Sequence, residues 1–335
     1  MISNTRRVTV AAAAIAAMAT AACGSSSSGS DQAGASSGAG TKFSFVTGAP
    51  GEAQAITGQA IQNINKQFGY KGTWTKIEDS DLVVQGMAAG KFDIASGTTS
   101  AVMAAAQKGA PLTFVGEEEL NDWTLTGQTA INGCSDLRGK RLGLQSAGGV
   151  STALYKSWFK ATCQASDAPK ILYVAGSPNR AAGLKAKQLD VSMLEVPDVL
   201  KLPQETFHII ANFSKDIPYV KTTLYYGNNT FLQDNGELVT RLLAEVNRLH
   251  RQVQADPSQL AAIIRAQLPD EAKNADAIAK AGTDAALYPA DVSVTLDELQ
   301  KTATVYTDAG ILQPGFDASK FLNTKLAADA AALAK

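Results

Sequence analysis

The chain is short of the residues that metal and nucleophilic chemistry use. Its 335 residues include three cysteines and two histidines. Neither His208 nor His250 has a cysteine or carboxylate at a metal-ligand spacing, and no G-x-S-x-G elbow occurs. These absences argue against an enzyme; no catalytic residue, no metal and no cofactor is expected. Charge is also scarce. Asp, Glu, Lys and Arg make up 18% of the chain, the formal net charge is −1, and there is no long basic block, so nucleic acid is not an expected partner. Beyond the first two dozen residues no apolar run approaches the roughly 20 residues of a membrane span.

What is present begins with an export signal. Arg6 and Arg7 precede the uncharged run Val8–Ala22, too short for a comfortable span. The run stops at Thr20-Ala21-Ala22-Cys23-Gly24. That sequence resembles the lipobox of bacterial lipoproteins, with Thr20 where leucine is usual. Residues 1–22 are thus expected to be a signal peptide and Cys23 a lipidated residue, the alternative being an ordinary signal cut elsewhere. Residues 23–41 are almost wholly Ser, Gly, Ala and Thr and are expected to be a flexible tether. If Cys23 carries lipid, Cys134 and Cys163 remain as a pair. Oxidation to a disulfide suits an exported body; two free buried thiols are the alternative.

From Lys42 onward, strand-like and helix-like segments alternate. Lys42–Val46, Thr73–Ile77, Phe92–Ala95 and Pro111–Val115 read as strands, separated by helical periodicity over 55–68, 82–89 and 100–108. Trp123–Ala130 reads as a crossover into a second unit. Strands are expected there at 141–144, 171–174 and 191–194, with helices at 151–165 and 180–187. Thr222–Tyr226 reads as the return crossover, and the rest is helical: 237–255, 257–267, 270–281, 296–309 and 318–334. This alternation predicts an α/β fold with mainly parallel sheets covered on both faces. The expected limits are 42–126 for the first part of lobe 1, 127–222 for lobe 2 and 223–335 for the return and C-terminal helices.

Three stretches, taken together, resemble the periplasmic solute-binding proteins of the nitrate, sulfonate and taurine type, which share a fold with thiamine-pyrimidine binders. The first runs Leu82-Val83-Val84-Gln85-Gly86-Met87-Ala88-Ala89-Gly90-Lys91-Phe92-Asp93-Ile94-Ala95 and on to Thr99. The second is Asp136-Leu137-Arg138-Gly139-Lys140-Arg141-Leu142-Gly143-Leu144. The third, Leu184 to Pro197, repeats the theme at Lys187-Gln188-Leu189-Asp190-Val191 and ends Glu195-Val196-Pro197. Gln254-Ala255-Asp256-Pro257 in the tail is also typical. The resemblance covers residues 42–335. It implies the two-lobed type II periplasmic binding protein fold and a solute-binding lipoprotein of an ABC importer. It further implies permease and ATPase subunits as partners, a location on the outer face of the cell membrane held only by the lipid anchor, and a monomer.

In open α/β sheets ligands sit beyond the carboxyl ends of strands, where loops meet helix N-termini. The candidate ligand residues are therefore Thr47, Gly48 and Ala49 after the first strand, and Ser96, Gly97, Thr98 and Thr99 after the third. In lobe 2 they are Ser146, Ala147, Gly148, Val150 and Ser151, with Gly148-Gly149 allowing close backbone approach and Ser151 offered as a helix cap. For any one of these loops, a routine turn with a helix cap is the competing reading. Trp74 and Trp123 lie near strand ends and either pave a pocket or pack in the core. Asn179 sits at another helix start, next to Arg180, which reads more readily as a surface charge than as an anion partner. A small anion of the sulfonate or nitrate kind fits the helix N-termini. Against it stand Glu195 and Glu117-Glu118-Glu119: facing the cleft they suit an amine, as in taurine or an aminopyrimidine; otherwise the three glutamates form a solvated turn. A sensor or structural lipoprotein that contacts a protein partner is the remaining rival.

Overall fold

The computed structural model describes residues 38–48, 51–77 and 79–334. The expected signal peptide, Cys23, the tether to residue 37 and Ala49 lie outside the described residues. The chain runs β1 (Lys42–Gly48), α1 (Glu52–Phe68), β2 (Lys71–Ile77), α2 (Ser80–Ala88), β3 (Ile94–Thr98), α3 (Thr99–Gln107), β4 (Leu112–Glu119) and β5 (Trp123–Gln128). It continues with β6 (Arg141–Leu144), α4 (Val150–Thr162), β7 (Lys170–Tyr173), α5 (Ser177–Lys185), β8 (Val191–Glu195), α6 (Val196–Val199), β9 (Phe207–Asn212), α7 (Phe213–Asp216) and β10 (Thr223–Asn228). The remainder is helical: α8 (Asn229–Asp234), α9 (Gly236–Ala255), α10 (Pro257–Gln267), α11 (Ala275–Asp284), α12 (Leu296–Asp308) and α13 (Thr324–Leu333).

Two five-stranded sheets form, ordered β2-β1-β3-β10-β4 and β7-β6-β8-β5-β9. In the first, β10 is antiparallel to β3 and β4; in the second, β5 is antiparallel to β8 and β9. The antiparallel strand is in each case the one that has just arrived from the other sheet. A chain crossing at the end where the parallel strands finish must run away from that end, and so opposes them. This explains two departures from the expected boundaries. Trp123–Ala130 is no free crossover, because Trp123–Gln128 pairs with β8 and β9; the change of sheet falls at Leu120–Asp122, ahead of residue 126. Likewise Thr222–Tyr226 is mostly β10. Strand β9 was not anticipated.

Matching devices start the two sheets. The carboxylate of Asp93 accepts the Ser44 peptide N–H (2.7 Å) and the Ser44 hydroxyl (2.8 Å), pinning the start of β1. Asp190 accepts the Arg141 peptide N–H (2.8 Å) and guanidinium, pinning β6 in the same way. Residues Gly38–Thr41, expected in the tether, are tied to the body: the Gly40 N–H donates to Gly69 O (2.8 Å) and Lys71 N–H to Thr41 O (2.9 Å). The outer edge of β4 is covered by Val292 and by Phe321–Asn323, whose backbones bond Glu117 and Phe114, which blunts an otherwise open sheet edge. The expected helix 318–334 is accordingly broken, and Asn323 caps α13 by accepting from Lys325 and Leu326 N–H.

Helix α9 places Leu238, Val239, Leu242, Leu243, Val246, Leu249 and Val253 on one buried face, where they pack with the apolar residues of α1 and α13. A second core is continuous across both sheets and includes Leu299 and Tyr306 of α12. Helix α12 also receives Lys156 from α4, whose ammonium donates to Ala309 O (2.8 Å). Cys134 and Cys163 are joined, Cα to Cα 5.3 Å, across a sequence separation of 29. Replacing both by serine should lower stability by about 3 kcal/mol on the chain-entropy scale, read as a lower urea midpoint. An unchanged midpoint would mean the bond adds nothing.

Candidate functional site

The parallel strands of both sheets run toward the chain's two crossings, so the carboxyl ends of both sets lie on that side, where the expected cleft would be. From the first sheet come Gly48, Thr98, Glu119 and, through antiparallel pairing, Thr223, which lies opposite both Thr98 and Glu119. From the second come Leu144, Glu195 and Trp123, which lies opposite Glu195. The two sides touch where α11 packs on α6, and Glu52, in the first turn of α1, is pushed up chiefly by burial and further by Asp198, while Lys201 opposes the rise.

The expected loops are tighter than the sequence suggests. Strand β3 runs into α3 with no intervening residue, so Ser96 and Gly97 are strand residues and Thr98 is the helix N-cap. Ser96 is buried and donates to Thr47 Oγ1 (3.3 Å), an internal bond that ties both side chains to the sheet. Thr99 and Ser100 are also buried, yet their hydroxyls have no partner. Gly48 is required by packing, since a Cβ there would come 2.6 Å from Ser80 Oγ.

In lobe 2, Gly149 rather than Ser151 is the N-cap of α4. Ser151 is buried and accepts the Gln145 N–H (2.9 Å), and Thr152 donates to Ser146 O (2.6 Å), so both hold the loop from behind. Val150 belongs to the core. Ser146, Ala147 and Gly148 are exposed, and a Cβ on Gly148 would meet open space. These three are the part of the loop available to a ligand.

The tryptophans separate. Trp74 lies on the edge strand β2, its ring against Gly58 of α1 and beneath the Lys76 ammonium (4.4 Å to the ring centroid). It lines an outer cavity of about 470 Å³ with Gln62, Asn65 and Gln267, away from the strand ends. Trp123 is buried at the cleft end of β5. The Arg180 guanidinium stacks on it at 5.4 Å. Arg180 is no surface charge: it is 1% exposed, bonds Met193 O (2.7 Å) and Val174 O (3.0 Å), and leaves Nη2 without a partner. Asn179 is exposed and donates to Ala175 O.

The glutamates are strand residues, not a solvated turn. Glu117, Glu118 and Glu119 end β4. Glu117 pairs with buried Lys221 (2.8 Å). Glu118 accepts from Gln54 (2.6 Å) and Thr57 (3.0 Å), and burial pushes its carboxyl up to about 7. Glu119 accepts weakly from Thr223 Oγ1 (3.4 Å). Burial, then Asp122, Glu118, Glu52 and Glu195, raise it well above the usual carboxylate range. Asp122 accepts the Val196 N–H through Oδ2 (3.2 Å) and is raised by burial, Glu195 and Glu52. The Glu195 N–H donates to Ser177 Oγ (3.1 Å), and burial lifts its carboxyl to about 7 although Arg180 opposes. Glu52, Asp122 and Thr222 were not anticipated as site residues, and Arg180 was weighed as an anion partner but set behind a surface charge. Asp122 and Thr222 had one signal, their places at the two crossings; Glu52 had none.

Among the described residues no three His, Cys, Asp or Glu converge in a way that holds a metal ion, and no helix is long and apolar enough to cross a membrane. Chemically the cleft offers helix N-termini, orphan hydroxyls, one stacked guanidinium and a group of carboxylates.

Comparison with known proteins agrees with this architecture. The family described as NMT1/THI5 like matches residues 75–260. The chain is similar to the ligand binding component of an ABC-type import system from Staphylococcus aureus: 13% identity, 87% of this chain and 99% of that one, TM-score 0.71. It is similar to the periplasmic aliphatic sulphonate binding protein SsuA from Escherichia coli: 16% identity, 84% and 91% coverage, TM-score 0.68. It is also similar to the periplasmic nitrate-binding protein NrtA from Synechocystis PCC 6803: 12% identity, 88% and 89% coverage, TM-score 0.69. At these identities the likeness is one of fold. No curated protein sequence matches.

Proposed function

The chain belongs to the NMT1/THI5-like family, whose match spans more than half of it, and from that footing we propose that it is the extracytoplasmic solute-binding component of an ABC importer. The observation that supports the reading is that the parallel strands of both sheets end on the side where the chain crosses twice between them. Ligands in open α/β folds bind at such ends. Two lobes joined by two crossing segments close on a ligand as a hinge. The solute is a small organic or inorganic molecule of the sulfonate, nitrate or taurine-like kind, in keeping with the sulphonate- and nitrate-binding proteins of the same fold. The role is capture and delivery rather than catalysis, with permease and ATPase subunits as partners. The protein works outside the cytoplasm, held at the membrane by lipid on Cys23.

Ser146, Ala147 and Gly148 contribute the lobe 2 loop, Thr98 and Thr99 the lobe 1 helix start, and Trp123 with Glu195 the wall between them. A thermal-shift panel of sulfonates, nitrate, taurine, aromatic acids and pyrimidines against the full chain tests the role. A solute at a hundredfold excess over its Kd stabilises the fold by about 2.7 kcal/mol, a readily visible rise in Tm. A flat response across the panel would count against small-solute binding and favour a protein partner.

A further inference from the structure

The two crossings are not the only ties between the sheets. Beyond Val292 the chain leaves the outer edge of β4, forms α12, and comes back to the same edge at Phe321–Asn323. Both ends of this excursion are fixed to the first sheet. Glu117 N–H donates to Val292 O (2.7 Å), Phe114 N–H to Phe321 O (2.8 Å) and Asn323 N–H to Phe114 O (2.9 Å). Gln107, the last residue of α3, adds two bonds to Gln313: its Nε2 donates to the carbonyl (2.7 Å) and its Oε1 accepts the N–H (2.9 Å). Yet the helix between these anchors packs on α4, which lies against β8 of the second sheet. Helix α12, expected with the first lobe, reaches the second.

The middle of α12 is fastened to the second crossing. Thr302 and Tyr306, one turn apart and both buried, take the two peptide groups of a single residue. Lys221 N–H donates to Thr302 Oγ1 (3.0 Å), and Tyr306 Oη donates to Lys221 O (3.1 Å). Glu298, a turn earlier, meets the Lys221 ammonium (3.0 Å). Apolar packing has no direction and tolerates small sliding between helices, whereas directed buried bonds fix position. The far end of α12 is held differently. The Lys156 ammonium of α4 donates to Ala309 O (2.8 Å). Ala309 is the C-cap, where carbonyls lack helical partners and the helix dipole is negative, so a cation suits it. Lys156 is exposed, and water can take its place.

We infer that α12 is a strap across the hinge and that Lys156 is its latch, holding the lobes in the setting the structure has; this rests on the hinge closure proposed above. Turning the second sheet about the crossings carries α4 past a helix pinned to Lys221 and to the first sheet. The bond from Lys156 to Ala309 must then part. The strap limits how far the lobes swing without solute, and the latch sets how much of the population leaves the observed setting.

Single-molecule energy transfer between dyes at positions 91 and 185 of the full chain, attached through non-natural amino acids, tests this with no solute present. Lys91 precedes β3 and Lys185 ends α5; both are exposed, one on each side of the hinge. The wild type should show one main interlobe distance. In Lys156→Met, at least twice as much of the population should lie outside it. Lys156→Arg keeps a donor and should retain the wild-type distribution. Lys160→Met, one turn further along α4 and also exposed, should change nothing. A distribution in Lys156→Met that matches the wild type overturns the latch. Equal broadening in Lys160→Met overturns it too, by tracing the effect to lost charge on α4. Neither result bears on solute binding, which the thermal-shift panel judges separately.

Discussion

Replacing Lys221 by methionine should destabilise the protein by about 3–5 kcal/mol, the usual cost of removing one partner of a buried ion pair. Lys221 is 4% exposed, and its ammonium lies 2.8 Å from Glu117 and 3.0 Å from Glu298. Burial pulls the ammonium down, but the two carboxylates together hold it above its usual value. Its backbone is tied as well: the N–H donates to Thr302 Oγ1 (3.0 Å) and the carbonyl accepts from Tyr306 Oη (3.1 Å). Lys221 therefore fastens the returning chain, just before β10, to α12 and β4. Methionine fills much of the volume but leaves Glu117 buried without its cation; burial already pushes that carboxyl up to about 7, so it must then either take up a proton or carry an unpaired charge. Urea unfolding checks the figure, and Glu117→Gln in the same chain should recover part of the loss. A change below about 1 kcal/mol, the range of exposed pairs, would show that the pair is solvated.

The ligand-free protein should lose stability as pH rises from about 4.5 to about 7, the reverse of ordinary acid denaturation. A carboxyl whose folded pKa is raised binds its proton more tightly when folded, so its contribution is complete below the unfolded value and fades as pH rises through the folded value. Glu118 and Glu195 titrate near 7 in the fold, and Glu52, Glu119 and Asp122 are raised by burial and by one another. For a fully buried group such as Glu118, moved from 4.5 to about 7, the loss is on the order of 3 kcal/mol. His250 works in the opposite direction. Burial lowers its pKa from 6.5 to about 4, so it destabilises the fold as pH falls between those values. One histidine is outnumbered by the acids, and above pH 6.5 it drops out. Denaturant midpoints at pH 5, 6.5 and 7.5 should therefore fall, most cleanly over the last step. Midpoints that rise across that step would mean that water reaches the carboxylates and leaves them ionised at ordinary pKa.

The α/β alternation was legible because apolar periodicity and turn residues mark it locally. The family motifs were legible too, but they prove to be scaffolding. Asp93 and Asp190, the acidic residues of the two matching motifs, pin the starts of β1 and β6 through partners 49 residues away in each lobe. The places where the reading failed share one cause. Strands β5 and β10 resemble connectors in sequence and become strands only because each crosses into the other sheet and pairs there. Similarly, Glu117–Glu119 look like a polar turn, and only pairing with β10 and the cover from Val292 bury them. Arg180 and Asp122 acquire their roles from Trp123, Met193 and Val196, none of which a local pattern connects to them. Contacts between distant segments decide the cleft's chemistry, and a single sequence carries little trace of them.

The most direct measurement is an equilibrium titration of a stabilising solute against the wild type, Gly148→Trp and Trp74→Phe. Gly148 faces open space at the cleft loop, so the indole should fold without strain and occupy the ligand's place. Trp74 lines the outer cavity of the first lobe. If the solute sits between the lobes, Gly148→Trp should weaken binding at least a hundredfold at unchanged Tm, while Trp74→Phe leaves the Kd within about twofold. Binding that survives Gly148→Trp and disappears in Trp74→Phe would place the solute in the outer cavity and contradict the interlobe account.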